Sequence, residues 1–66
     1  MKFTVKYNNE TIDKESDVDL TIKDLLDEMG LSSTTIISKK NGETTFEESP
    51  IEDGDEIQFV QIIFGG

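Results

Sequence analysis

The chain has no cysteine, no histidine and no arginine among its 66 residues, and it has one proline. Without cysteine no disulfide can staple the fold, and no thiol can bind a metal or act as a nucleophile. Without histidine the usual proton shuttle near neutral pH is missing. No apolar run approaches the ~20 residues of a membrane span. Met1 opens a strand-like stretch and not a basic region followed by an apolar one, so no signal peptide is expected and the expected location is the cytoplasm. A chain of this length lies near the lower limit for folding alone, and it has room for one small core. A deep, preformed substrate pocket is not expected.

The charge that is present is one-sided. Fifteen Asp and Glu against six Lys leave a net charge of −9. That argues against nucleic acid as a partner, because binding it needs cationic neutralisation of phosphates. It also argues against anionic membranes and favours rapid association with a basic protein surface, although an ordinary acidic soluble surface has the same composition. Asp53, Asp55 and Glu56 do not match the spacing of a calcium loop, so no metal site is expected. Gly30, Gly42 and Gly54 are isolated, and none opens a phosphate-binding GxxxxGK[ST] motif.

The order of elements can be read from periodicity. Lys2–Tyr7 alternates, with Phe3, Val5 and Tyr7 on one face, as a half-buried strand does. Asn8-Asn9 signals a turn, and Glu10–Asp13 returns as the second strand of a hairpin. Glu15–Asp19 is a polar connection. Thr21 has the character of a helix N-cap, with Asp24 three residues on completing an approximate capping box. Ile22, Leu25, Leu26 and Met29 follow at helical spacing, and Gly30 stops the helix as its left-handed terminal residue. Thr34–Lys39 is β-branched and strand-like. Asn41-Gly42 is a strong hairpin turn, returning through a short strand at Glu43–Phe46. Glu47–Ile51 reads as irregular, Asp53–Asp55 as a tight turn, and Glu56–Phe64 as the last strand, which runs into Gly65-Gly66.

One helix packed across a mixed sheet of four to five strands satisfies the layer rule, and the expected fold is therefore α+β. The first strand must lie inside the sheet for the last to find a partner, most simply a parallel one. This is the β-grasp, ubiquitin-like arrangement. Residues 1–66 are expected to form one domain, with 65–66 as a flexible tail. The terminal glycines have no folding role, since glycine costs backbone entropy and offers nothing to pack. What they provide is a thin end that can enter a narrow slot. On residue evidence alone the tail is equally consistent with an uninformative terminus.

Two stretches resemble the ubiquitin-like sulfur-carrier family of ThiS/MoaD type. The helix LTIKDLLDEMGL (Leu20–Leu31) is similar to that family's helix. The end IEDGDEIQFVQIIFGG (Ile51–Gly66) resembles its closing pattern of acidic turn, apolar strand and terminal Gly-Gly. The run before the glycines lacks the prolines common in molybdopterin-type members, and it is closer to the thiamine type. Two departures bear on the pathway: Ser38–Glu43 lacks an arginine often present in thiamine-type members, and Phe64 is bulkier than usual at its position.

The resemblance implies that the chain is not an enzyme but the substrate of one. A separate ThiF/MoeB-type adenylyltransferase would use ATP and metal to adenylate the Gly66 carboxylate. Sulfur from a donor would then displace AMP and leave a thiocarboxylate, for delivery to an acceptor enzyme in thiamine, molybdopterin or tRNA-thiolation chemistry. No cofactor would be bound by the chain itself, which would be a monomer when free. Gly66 would carry the reacting carbonyl, and Gly65 would let the last peptide lie flat in a confined channel. Strand alternation turns Ile57 and Phe59 toward the helix, leaving Val60, Ile62 and Phe64 outward as a partner-binding patch. Glu52, Asp53 and Asp55, with Glu47, Glu48 and Glu56, are expected to flank that patch and steer it to a basic rim. Two other readings share the fold: a protein modifier joined to lysines through Gly66, and a β-grasp interaction domain with an inert tail.

Overall fold

The helix is built as its sequence dictates. In the computed structural model, which describes residues 1–62, α1 spans Ile22–Met29. The Asp24 N–H donates to Thr21 Oγ1 (3.3 Å), and the Thr21 N–H donates back to Asp24 Oδ2 (3.0 Å). The expected capping box is thus complete. Two further N-terminal donors find tertiary partners: Ile22 N–H to the Ser49 carbonyl (3.0 Å) and Lys23 N–H to that of Glu47 (2.8 Å). At the other end Gly30 adopts φ 71°, and the N–H groups of Gly30 and Leu31 close onto the carbonyls of Asp27 and Leu26. Only a residue without a Cβ takes that conformation at little cost.

Seven short strands accompany the helix: β1 (Lys2–Tyr7), β2 (Glu10–Glu15), β3 (Leu20–Thr21), β4 (Ile36–Lys40), β5 (Glu43–Thr45), β6 (Pro50–Ile51) and β7 (Glu56–Gln61). Five form a mixed sheet in the order β2-β1-β7-β4-β5. The β1–β7 pair is parallel, and the other neighbours are antiparallel. This is the expected β-grasp fold, with β1 inside the sheet and β7 at its centre. Both hairpins use turns with two consecutive positive-φ residues, Asn8-Asn9 (54°, 66°) and Asn41-Gly42 (52°, 88°). That geometry matches the twist of the flanking strands, and asparagine tolerates it better than most residues.

The core is one layer between sheet and helix. Phe3 and Val5 of β1 and Ile57 and Phe59 of β7 meet Ile22, Leu25 and Leu26 of α1, closed by Ile36 and Ile51.

Several boundaries differ from the sequence expectation. Strand β2 continues to Glu15, because Lys2 and Phe3 offer it partners as far as the chain start. Strand β4 begins at Ile36 rather than Thr34, because Ser32 draws the chain into a turn: its Oγ accepts from the Thr34 N–H and its carbonyl from the Thr35 N–H. The segment read as irregular contains β6, which pairs with β3 in a two-stranded sheet through Leu20–Ile51 and Thr21–Pro50. Phe46 falls outside β5 and is 81% exposed. Strand β7 ends at Gln61, and Ile63, Phe64, Gly65 and Gly66 lie outside the described residues.

Replacing Thr21 by Ala removes the side-chain half of the cap. The expected loss is about 0.5–2 kcal/mol, read as a lower urea midpoint with an unchanged slope. An unchanged midpoint would show that the Ser49 and Glu47 carbonyls suffice to start the helix.

Candidate functional site

Strand β7 carries the chain toward the tail, and its alternation sorts its side chains. Ile57 (0% exposed) and Phe59 (3%) are buried toward the helix, while Gln58 is exposed and Val60 is 38% exposed on the open face. Directly across the β4–β7 ladder Val60 meets Ile37, which is also 38% exposed. The two form an apolar pair on the face that the helix leaves uncovered. Ile37 was absent from the sequence expectation. Its signal was the alternation of Ile36, Ile37 and Ser38, but a register is needed to know which strand it opposes.

Ile62 continues the register of the β4–β7 pair. It lies beyond the last residue of β7, is half-buried, and donates its N–H to the Thr35 carbonyl (2.8 Å). Thr35 is the residue opposite Ile62 in the register that pairs Ile36 with Gln61, so this bond carries the pairing one residue beyond the two strands. Phe64, Gly65 and Gly66, the other residues expected at this site, lie outside the described residues.

The acidic residues occupy a different place from the one expected. Residues 52–55 form the turn that leads into β7, whereas the tail follows its far end. A strand of this length separates the two by roughly 20 Å. Glu52, Asp53 and Asp55 therefore do not flank Val60. Proximity along the chain was a poor guide because an extended strand lies between.

Asp55 moreover has its carboxylate engaged internally. It is 7% exposed. Its Oδ2 accepts from the Glu52 N–H (2.7 Å) and lies 3.6 Å from Lys40 Nζ, and its Oδ1 accepts from Asn41 Nδ2 (3.0 Å). Asn41 Oδ1 in turn accepts from the Glu56 N–H (2.9 Å). This knot ties the β4–β5 turn to the entry of β7. Burial opposes ionisation of Asp55, but the Glu52 N–H, the Asn41 amide and the Lys40 ammonium together outweigh it, and hold the carboxyl below its ordinary value. Asp53 also has a structural contact, accepting the Lys2 N–H at 2.7 Å, but it remains exposed. Among the described residues no cluster of three or more acids is disposed to hold a metal ion.

What surrounds the tail exit follows from topology. Strand β1 runs parallel to β7, so its terminal turn Asn8-Asn9 sits beside the exit. Strand β4 runs antiparallel, so the loop that precedes it sits on the other side. An open trough there is lined by residues that include Lys6, Asn8, Asn9, Glu10, Val60 and Gln61.

Comparison with known proteins agrees with this architecture. The ThiS family model matches residues 4–66. The fold is similar to the crystal structure of the thiamine biosynthesis protein ThiS from Geobacter metallireducens, at 24% identity and a TM-score of 0.71, covering 100% of both chains. The solution structure of a thiamine biosynthesis protein from the same organism matches at 24% identity and a TM-score of 0.68, covering 100% of this chain and 88% of that one. The crystal structure of SAMP1 from Haloferax volcanii matches at 20% identity and a TM-score of 0.68, covering 98% of this chain and 97% of that one.

The Asp55 knot has a pH signature. Its carboxyl titrates lower in the folded chain than the ordinary value of 3.8, so the ionised form is favoured by folding. Its contribution is complete above pH 3.8 and is lost as pH falls through the folded value. Asp55→Asn should cost about 1–3 kcal/mol at neutral pH. In denaturation curves taken from pH 7 downward, the gap to the wild type should narrow once pH drops below that ordinary value. A gap that does not change with pH would show that shape, not charge, holds the knot.

Proposed function

The chain belongs to the ThiS family of ubiquitin-like sulfur carriers, and from that premise we propose that the Gly66 carboxylate is the group on which sulfur is carried. A carboxylate at neutral pH is a poor electrophile. A carboxylate oxygen attacks the α-phosphorus of ATP in a separate ThiF/MoeB-type enzyme, pyrophosphate leaves, and an acyl-adenylate forms at Gly66. A sulfur nucleophile from a donor then adds to the carbonyl carbon and AMP departs, so that one C–O bond is exchanged for a C–S bond. The thiocarboxylate is delivered to an acceptor enzyme, in thiamine, molybdopterin or tRNA-thiolation chemistry. The chain acts as one 66-residue carrier in the cytoplasm, a monomer when free, and ATP and metal are handled by its partner.

The observation that supports this reading best is the place of the tail. Gly65-Gly66 follows β7, the central strand of the sheet, which is paired on both sides. A reactive end attached there starts from a fixed point. The missing Cβ atoms leave the carbonyl open to attack and the last peptide free to lie flat. Val60 and Ile37 supply an apolar docking patch, extended by Ile62 and Phe64. Glu52 and Asp53, at the far end of β7, act on a partner only through the long-range field.

Three experiments test the reading. Intact-mass measurement of the protein from its native host should show a form ending at Gly66 that is heavier by the exchange of one oxygen for sulfur. Gly-Gly remnants on lysines of other proteins, without that form, would make the chain a modifier instead. Gly66→Val should abolish adenylation while leaving the melting temperature unchanged, and retained adenylation would overturn the proposal. Val60→Asp should weaken the complex with the activating enzyme by about tenfold or more, as expected for a residue at the centre of an interface. Unaltered binding would move the docking surface elsewhere.

A further inference from the structure

The charge of this protein is distributed unevenly between the two ends of the sheet. At the end where β7 begins, the connecting segments 16–19 and 52–55 hold Asp17, Asp19, Glu52, Asp53 and Asp55. At the end where β7 stops, the turn Asn8-Asn9, the loop Leu31–Thr35 and the strand end Gln61-Ile62 hold no charged side chain. In a chain with a net charge of −9, the tail thus leaves through a collar of amides and hydroxyls. Turn chemistry does not demand this. Aspartate fills the same turn roles as asparagine and serine, and 52–55 uses it freely. Three acids border the collar: Glu10, directly after Asn9, and Asp27 and Glu47, which line a hollow with Leu31, Ser32, Ser33 and Lys23. Asp27, in the last helical turn, is paired with Lys23 at 3.2 Å. The trough beside the exit holds two charged residues of opposite sign, Lys6 and Glu10.

Resting on the carrier reading, we infer that this neutral collar is an adaptation to a nucleotide-filled active site: it is the part of the surface that must approach the phosphates of ATP. Four residues separate Ile62 from the end of the chain, and four residues span at most about 14 Å. When the carboxylate meets the α-phosphorus, the collar therefore stands in the mouth of the cleft. Low-dielectric walls there screen charge poorly and focus the repulsion between an acid and a polyphosphate. The exposed acids at the opposite end, Asp17, Asp19, Glu52 and Asp53, stay in bulk solvent roughly 20 Å further away, more than two Debye lengths at physiological ionic strength. The protein thereby keeps a high negative charge while the collar segments carry none of it, and the acids that border them share their hollows with Lys6 and Lys23.

The test adds charge to the collar without changing its shape. Gln61→Glu is isosteric, and Gln61 and Ser33 are exposed. Neither side chain has a hydrogen bond among the described residues that a substitution would break. ATP–pyrophosphate exchange by the host's activating enzyme would be followed for the wild type, Gln61→Glu, Ser33→Glu and Gln61→Lys, with Thr44→Glu as an equally charged control. Thr44 is exposed on β5, away from the exit. Each collar Glu should raise the KM for the carrier about 3–10-fold at low salt, the size of a tenfold change or less expected of one rim charge. The effect should fade at 0.5 M salt, Gln61→Lys should not show it, and Thr44→Glu should match the wild type. Thermal melts of all variants control for folding. Collar variants indistinguishable from Thr44→Glu would overturn the inference and leave the carrier reading intact. A wild type that supports no exchange would overturn both.

Discussion

The parallel pairing of β1 with β7 is the contact on which the rest of the molecule depends. It joins the first strand to the last and sets Val5 against Ile57, both fully buried. No local turn can make a parallel pair, so the whole intervening chain must be arranged to permit it. The register is fixed at its entry by backbone bonds, Gly54 N–H to the Lys2 carbonyl (2.7 Å) and Thr4 N–H to that of Asp55 (3.0 Å). A one-residue slip would turn Phe59 and Ile57 out of the core. With β1 and β7 placed, β2 and β4 add by antiparallel pairing and the helix closes the apolar face.

This pairing also separates stability from function in space. The entry of β7 is held by the Asn41–Asp55–Lys40 knot, while its exit leads to the tail. Asp55 belongs to folding, although in the sequence it stands among acids that look like a steering cluster. Val60 and Ile37 belong to the surface, because the helix covers the other face of their strands. The two faces of one sheet and the two ends of one strand thus carry different tasks, in a chain too short to devote separate segments to each.

Much of this was legible in the residues. The capping box, the apolar face of α1, the terminal Gly30, the Asn41-Gly42 turn and the alternation of β1 are local signals, each depending on positions within a few residues of one another. Their order implied a β-grasp sheet, and the parity of β7 correctly assigned Ile57, Phe59 and Val60. Less legible were the partners. The β3–β6 pair joins two-residue strands thirty residues apart, too short for periodicity to reveal. The turn at Ser32 shortened β4. The acids of 52–55 were placed beside the tail when they lie a strand's length from it.

The sequence by itself determined the element types, the buried stripe and the chemistry available: a chain without cysteine or histidine, strongly acidic, with two terminal glycines. These follow from propensity, period and composition, which are properties of neighbouring residues. Only the tertiary structure decided which turns share an end of the sheet, that Ile37 stands opposite Val60, and that Asp55 is enclosed by Asn41 and Lys40. It also revealed that the uncharged segments 8–9 and 31–35, far apart in the chain, converge where β7 stops. Such facts depend on strand direction and register, and those are set by long-range pairing that no stretch of the chain encodes alone.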